Sequence, residues 1–412
     1  MRILFLSAWL PYPPDNGAKL RIYHLLRGLA QHHEVTLLSY DGGIGGEPPA
    51  RLRELCQAVH LLPERTYNAS SARALLGFFS RTPRVLVDRY VPEMAARIRE
   101  EVRRGGYDLV IASEWYMAYY EPAFRGVPAI FEEAEVGVFR DKIAQARSPL
   151  HRLRHELTTL KMQAYFRGLL SRFKACTVAS ETERALLMKM VAGYTGVEVI
   201  PNGASLADYR PALTEPMPDT LIFTGSFRYR PNYDAMTWFL GQVYPLVKAA
   251  VPGVKLTITG DQAGLPLPDA EGVTLTGYVD DVRPYLASAW ASLAPLHSGG
   301  GTRLKILEAL ALHTPVVATS KGAEGLDLQN GRHILLADTP EDFAGQVIRL
   351  LKDPRLRRQI ADNAYQLACE KYDWDVILPK FLALVEQASG HSGKLAPIHP
   401  VAYESTKPYS NG

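Results

Sequence analysis

One stretch of the chain concentrates several chemical capacities: His297-Ser298-Gly299-Gly300-Gly301-Thr302-Arg303-Leu304-Lys305-Ile306-Leu307-Glu308-Ala309. Three consecutive glycines let the backbone approach a ligand closely, and Thr302 is a residue type that caps helix starts. A strand pattern precedes them and an apolar, helix-periodic run follows. Gly299, Gly300, Gly301 and Thr302 are therefore expected to aim free amides and the positive end of a helix dipole at an anion, most naturally a diphosphate. Arg303 and Lys305 add two cations in the first turn, where the dipole disfavours them by about 0.3–1 kcal/mol unless an anion compensates. Glu308 lies among Leu304, Ile306, Leu307, Ala309, Leu310 and Leu312. A carboxylate drawn into such surroundings needs hydrogen-bond donors, and the hydroxyls of a ribose attached to the diphosphate are suitable. The competing reading is that the glycines only turn strand into helix, and that Lys305 pairs with Glu308 at i, i+3.

The elements that must position these residues read as two α/β halves. Strand candidates in the first are Arg2–Ala8, Val35–Tyr40, Val59–Leu62, Asp108–Ser113, Ala129–Glu132, Ala175–Ala179 and Val197–Pro201, alternating with helical patterns such as Ala18–His32 and Pro92–Arg104. Such alternation implies a parallel sheet covered on both faces. The pattern breaks at Pro201-Asn202-Gly203 and through Pro211, Pro216 and Pro218. It restarts at Thr220–Gly225, Val254–Gly260, Val273–Val279, Ala291–Leu296, Pro315–Thr319 and Ile334–Ala337. Helical patterns at Pro340–Leu351, Pro354–Tyr372 and Trp374–Ser389 follow. The expected organisation is a first domain over 1–205, a second over 206–373, a closing helix over 374–390 and a disordered tail over 391–412.

Composition narrows the function classes. A chain of 412 residues exceeds one ordinary core and suits two α/β domains of about 200 residues each. Lys plus Arg number 46 against 43 for Asp plus Glu, so no global field attracts nucleic acid. Cys56, Cys176 and Cys369 are odd in number and show no metal-ligand spacing, which fits a reducing cytosol. The run Ile3–Leu10 reads as a buried strand rather than a signal peptide. No run approaches the roughly 18 apolar residues of a membrane span, so membrane contact would be peripheral. The segment 138–174 carries Arg140, Lys142, Arg147, Arg152, Arg154, Lys161, Arg167, Arg172 and Lys174 against Asp141 and Glu156, with Leu153, Leu157, Leu160, Ala164 and Leu169 interleaved. A basic amphipathic helix of this kind suits an anionic membrane surface or a lipid-diphosphate acceptor; an ordinary solvated helix face is the alternative.

The run from Leu296 through Ala311, with Pro315-Val316-Val317-Ala318-Thr319 and Gly322-Ala323-Glu324-Gly325-Leu326, resembles the donor-site signature of family-four retaining glycosyltransferases with the GT-B fold. Val199-Ile200-Pro201-Asn202-Gly203, Phe223-Thr224-Gly225-Ser226 with Pro231-Asn232, and Gly277-Tyr278-Val279-Asp280-Asp281 resemble further family segments. The resemblance implies an α/β protein of two Rossmann-like domains facing across a cleft, with the last helix crossing back to the first domain. It implies transfer of a sugar from a UDP- or GDP-type nucleoside diphosphate to an acceptor hydroxyl, with retained configuration and without metal or other cofactor. The acceptor would be a saccharide or a lipid-linked glycan, met in the cytoplasm or at the cytoplasmic face of the membrane.

The resemblance also implies roles. Glu308 would hold the ribose, while Gly300 stands where the family has a glutamate on the donor sugar, so sugar recognition must come from the loop backbone or another side chain. Arg228, which position favours over Arg230, would meet the diphosphate, as would Arg303, Lys305 and the Gly299 to Thr302 amides. Gly225, Tyr278 and Val279 belong to donor-side turns, and Gly17, in Pro13-Pro14-Asp15-Asn16-Gly17-Ala18, to a loop over the cleft. Where many members have a histidine, this chain has Phe131-Glu132-Glu133-Ala134-Glu135. Glu132 or Glu133 could orient the acceptor or stabilise charge at the anomeric carbon; a solvated acidic loop is the alternative. Asp373-Trp374-Asp375 has a metal-binding form but resembles the start of the closing helix. An NAD-dependent oxidoreductase would need a G-x-G-x-x-G turn after a strand, which is missing. A GT-B nucleotide-sugar epimerase and a non-catalytic saccharide-binding relative remain as alternatives.

Overall fold

Short runs of branched and aromatic residues form the first sheet: β1 (Arg2–Ser7), β2 (Glu34–Tyr40), β3 (Ala58–Leu62), β4 (Leu109–Ser113), β5 (Ala129–Glu132), β6 (Ala175–Val178) and β7 (Val197–Val199). All pair in parallel, in the order β3-β2-β1-β4-β5-β6-β7. In β1 every residue after Arg2 is buried, and β4 is buried throughout, because helices cover both faces of a parallel sheet. The helix Gly17–Ala30 links β1 to β2 and the long helix Pro149–Leu170 precedes β6. Strand order reverses between β1 and β4, so the loops after Ser7 and Ser113 diverge from adjacent strand ends. Such a switch point leaves a ligand-sized crevice at the carboxyl edge of a doubly wound sheet.

The computed structural model describes residues 1–144, 146, 148–209, 214–301 and 303–391. The expected linker residue Pro211, the candidate cap Thr302, Arg147 of the basic segment and all of the tail beyond His391 lie outside them.

The second sheet repeats the logic with β8 (Thr220–Thr224), β9 (Lys255–Thr259), β10 (Val273–Gly277), β11 (Ala291–Ala294), β12 (Val316–Ala318) and β13 (Leu335–Leu336), ordered β10-β9-β8-β11-β12-β13. Alternate residues of β8 enter opposite cores. Leu221 and Phe223 pack with Met236, Phe239, Leu256 and Phe343, whereas Ile222 packs with Ala294, Ile306, Leu310 and Val316. Pro231-Asn232, part of a segment with family resemblance, opens the helix Arg230–Trp238. Proline is well suited there because its missing N–H has no partner in the first turn. The expected helix Pro354–Tyr372 is α-helical to Leu367 and finishes in a π-turn, Ala368–Tyr372.

The described residues divide into two compact units, one of Met1–Pro201 with 378–391 and one of Asn202–Ile377. Within the first, Leu378 fills the space a side chain would need at Gly28, where an added Cβ would lie 2.7 Å from Leu378 Cδ2. Within the second, Ala204 N–H donates to the Tyr372 carbonyl at 2.8 Å. Asp373 accepts through its side chain from the Asp375 N–H at 3.2 Å and through its carbonyl from Ile377, a helix-start arrangement. No helix among the described residues is long and apolar enough to cross a membrane.

Candidate active site

The switch point of the second sheet lies between β8 and β11, and the sequence places Gly225 after one and His297 to Gly301 after the other. Gly225 has φ +147°. A Cβ there would stand 2.6 Å from Asn232 Nδ2 and 3.1 Å from Lys305 Nζ, so glycine is what lets both side chains reach the strand end. Lys305 Nζ donates to Asn232 Oδ1 at 2.9 Å and lies 4.0 Å from the centroid of the Phe223 ring. Asn232 is buried and donates its own amide N–H to the Ser226 carbonyl at 2.8 Å, which turns its oxygen toward the lysine. No ion pair of Lys305 occurs among the described residues, and the i, i+3 pairing with Glu308 does not form. Burial first, and then the nearby Arg303, lower the Lys305 pKa to about 7, with Glu308 opposing. The pocket offers the Lys305 amine an amide oxygen and an aromatic face, both neutral.

Arg303 sits elsewhere than expected. The helix runs Leu304–Ala311 with Arg303 at its N-cap position, so this arginine lies before the first turn rather than in it. Its buried guanidinium donates to the carbonyls of Gly299 at 2.9 Å, Gly300 at 3.3 Å and Lys321 at 2.9 Å. Arg303 thereby ties the glycine loop to the turn after β12. Tyr229 supports the same loop, donating its hydroxyl to the Gly300 carbonyl at 3.3 Å. Gly299, at φ +98°, has no room for a Cβ, which would fall 2.2 Å from the Tyr229 oxygen. Gly300 therefore contributes a carbonyl already engaged by the protein, and no side chain.

Glu308 is one turn along the same helix and accepts from the Tyr209 hydroxyl at 3.2 Å. Burial pushes its carboxyl up to about 7, Asp281 adds to the rise, and Tyr209 and Lys305 oppose it. Arg283 fixes the neighbouring loop, donating to Asp281 at 2.8 Å and to the Asp208 carbonyl at 2.6 Å. That loop carries Tyr278, largely exposed, and Val279, half-buried. Arg228 is largely exposed and donates to the Asp261 carboxylate. Arg230 pairs with Asp234 one turn along its own helix.

At the switch point of the first sheet, Trp9 after β1 donates its indole N–H to Glu114 after β4. Glu132 ends β5 wholly buried, with Oε1 accepting from Arg21 Nε at 2.6 Å and Oε2 from Ser113 Oγ at 2.8 Å. Arg21 also donates to the Ile200 carbonyl at 2.8 Å and lies 3.7 Å from Glu133. Glu114 and Glu133 both have positive φ, 62° and 59°, a costly conformation for a residue with a side chain. Burial raises Glu114 to about 7, Trp9 opposing and Glu132 and Glu135 adding. Burial likewise holds Glu133 well above the ordinary carboxylate range, Arg21 opposing and the other glutamates adding. Gly17 begins its helix behind Asn16, whose side chain accepts from Lys19 N. Sequence reasoning missed Glu114, Tyr209 and the role of Asn232. The only available signal was position: Glu114 follows a strand candidate and Asn232 follows the turn after another.

Comparison with known proteins identifies the class. The model for glycosyl transferases group 1 matches residues 218–353, and that for the glycosyl transferase 4-like domain matches residues 16–203. An uncharacterized 44.6 kDa protein in the cps region of Klebsiella pneumoniae is 22% identical over 90% of this chain and 96% of its own length. Phosphatidyl-myo-inositol mannosyltransferase of Mycobacterium leprae is 29% identical over 43% of this chain and 48% of its own. Among solved structures, sucrose-phosphate synthase from Thermosynechococcus elongatus superposes with TM-score 0.70 at 18% identity, covering 94% of this chain and 99% of that one. HepE of Anabaena with UDP and glucose gives TM-score 0.62 at 16% identity, covering 94% and 100%. The two family models span most of the chain, one on each Rossmann-like unit, and the chain belongs to the group 1, family-four glycosyltransferases of GT-B type.

Proposed function

We propose that this glycosyltransferase moves a sugar from a UDP- or GDP-type nucleoside diphosphate to a hydroxyl of a saccharide or lipid-linked acceptor, with retention, in cell-surface polysaccharide or lipid-linked glycan synthesis. The observation that carries the reading is Lys305, an ammonium held at a strand end beside an amide oxygen and an aromatic face. A diphosphate supplies the missing negative charge. The complexes of Anabaena HepE with UDP and with UDP-glucose support a nucleoside-diphosphate donor. Lys305, the Gly299 to Gly301 amides and Arg228 then bind the diphosphate, Arg303 holds the loop in shape, and Glu308 with Tyr209 receives the ribose. Gly225 gives room at the strand end, Tyr278 and Val279 flank the base, and Gly17 contributes a backbone amide from the first unit.

As the bond from the anomeric carbon to the diphosphate oxygen breaks, negative charge grows on the leaving group. Cations already fixed in a partly dry site stabilise that charge without reorganising. The acceptor oxygen forms its bond on the same face and its proton passes to the departing diphosphate. Glu133 and Glu114 orient the acceptor, while Glu132, engaged by Arg21 and Ser113, acts as a positioning residue. No metal takes part, so chelators leave the rate unchanged. The reaction takes place in the cytoplasm, with the basic segment 138–174 holding the enzyme at the membrane face. Incubation with UDP- and GDP-sugars and candidate acceptors, followed by NMR of the product's anomeric proton, tests the reading. A product of inverted configuration would overturn retention, and turnover of the donor to an epimer without an acceptor-linked product would overturn transfer.

A further inference from the structure

The Pro149–Leu170 helix is apolar on two opposite faces. At about 100° per residue, Leu150, Leu153, Leu157 and Leu160 share an arc of about 80°, roughly opposite the arc of Met162, Phe166 and Leu169. The second group is buried in the first unit's core; the four leucines are each more than half exposed. Beside them runs a second apolar feature. The short helix Ala72–Leu76 turns at Gly77 into Phe78 and Phe79, and Leu75, Leu76, Phe78 and Phe79 are also more than half exposed, Phe79 at 93%. Lys161 joins the two, donating Nζ to the Gly77 carbonyl at 2.8 Å and to that of Phe78 at 3.3 Å. Eight of the eighteen exposed large apolar side chains among the described residues thus fall in two neighbouring segments. Soluble surfaces scatter such residues unless they meet a partner.

The charge of the surroundings identifies the partner. Arg154 and Arg167 flank the leucine arc on opposite sides, and Arg73, Arg81 and Arg84 accompany the Phe78-Phe79 turn, with the Arg84 guanidinium 4.3 Å from the Phe78 ring centroid. Glu156, the one carboxylate on the long helix, is paired with Arg152 at 3.0 Å. A second copy seated on this face would set arginine against arginine. An anionic lipid surface matches both the charge and the greasy ridge, and a helix that lies in the interface plane needs no spanning length.

We infer that the outer leucine face of the Pro149–Leu170 helix and the Leu75–Phe79 turn insert together into the interfacial layer of an anionic bilayer. The inference rests on the proposed membrane-face location of segment 138–174 and goes further in naming the inserting residues and the depth of engagement. Flotation of the full chain with phosphatidylcholine vesicles, with and without phosphatidylglycerol, tests it. The wild type is expected to float with the anionic vesicles and to retain part of that binding at raised salt. Leu153→Ser/Leu157→Ser and Phe78→Ser/Phe79→Ser should each lower partition by about tenfold or more. Thermal stabilisation by a UDP- or GDP-sugar, unchanged in these variants, separates failure of this inference from failure of the donor-site reading. Undiminished flotation of both variants overturns insertion, as does equal wild-type binding to neutral vesicles. A wild-type dimer that Leu153→Ser/Leu157→Ser dissociates reassigns the face to a second copy and overturns it too.

Discussion

Donor affinity should fall steeply as pH rises above neutrality, and the cause should be Lys305. Its pKa is about 7, against an ordinary 10.5, through burial and the neighbouring Arg303. A bound diphosphate favours the charged form and raises that pKa. Free protein therefore loses the proton as pH passes 7 while the complex keeps it, so binding weakens by up to tenfold for each further pH unit. Between pH 7 and 9 the lysine alone accounts for a loss of about fifty-fold, or ~2.3 kcal/mol, because half of it is already neutral at the start. Burial keeps His297 below its ordinary value of 6.5, Asp338 opposing, so it lies outside this window. Glu308, with its transition near 7, opposes the lysine by up to about twofold as the rest of its carboxyl ionises, which leaves a net loss of about 25-fold, or ~1.9 kcal/mol. The ligand should be a nucleotide sugar, whose esterified terminal phosphate lacks the second ionisation near ~6 of a phosphate monoester. Titration calorimetry across pH 7 to 9 should give the slope in the wild type. Lys305→Met should bind about 2 kcal/mol more weakly at pH 7 and show no fall in affinity above it. A wild-type affinity constant over that range, or a slope that survives in Lys305→Met, refutes the reasoning.

Glu308→Gln should remove the acidic limb of the same profile. Wild-type affinity is expected to fall as pH drops through about 7 and the carboxyl protonates, whereas the variant should bind roughly tenfold more weakly near pH 8 and lose the low-pH dependence, read by calorimetry. Arg303→Ala should act on folding before it acts on chemistry, lowering stability by about 2–4 kcal/mol in urea denaturation because three carbonyls lose a charged donor. Arg303→Lys should recover little, since an ammonium does not reproduce the planar fork. Arg21→Met should destabilise by about 3–5 kcal/mol by leaving Glu132 buried without its cation, and adding Glu132→Gln should restore part of that; equal midpoints for the single and double variants would contradict it.

Much of the fold is visible in the chain itself. Parallel strands covered on both faces read as continuous apolar runs, which is why β1, β4, β8 and β11 stand out and fall within one or two residues of their expected limits. Lys305 and Glu308 are legible for a related reason, as charges lodged in an otherwise apolar helix. Arg303 is misread because its direction depends on a helix that starts at Leu304 and on carbonyls contributed by the turn at Lys321. The Arg21–Glu132 pair joins residues 111 positions apart, and no local pattern marks one for the other. Tyr209 and Asn232 are invisible likewise, since their meaning comes from what the sheet brings beside them. The leucines interleaved in the basic segment present a different ambiguity. Helical spacing gathers Leu153, Leu157 and Leu160 on one face but does not say which face looks inward.

Asn232 differs from aspartate by one atom, and that atom decides what kind of site this is. With its amide nitrogen committed to the Ser226 carbonyl, the oxygen it turns to Lys305 carries only a partial charge. A carboxylate in the same place would complete the lysine internally, giving a more comfortable resting protein whose appetite for phosphate was already satisfied. The neutral residue keeps the lysine restless, leaves part of the folded state's stability unrealised, and reserves that free energy for the moment an anion arrives.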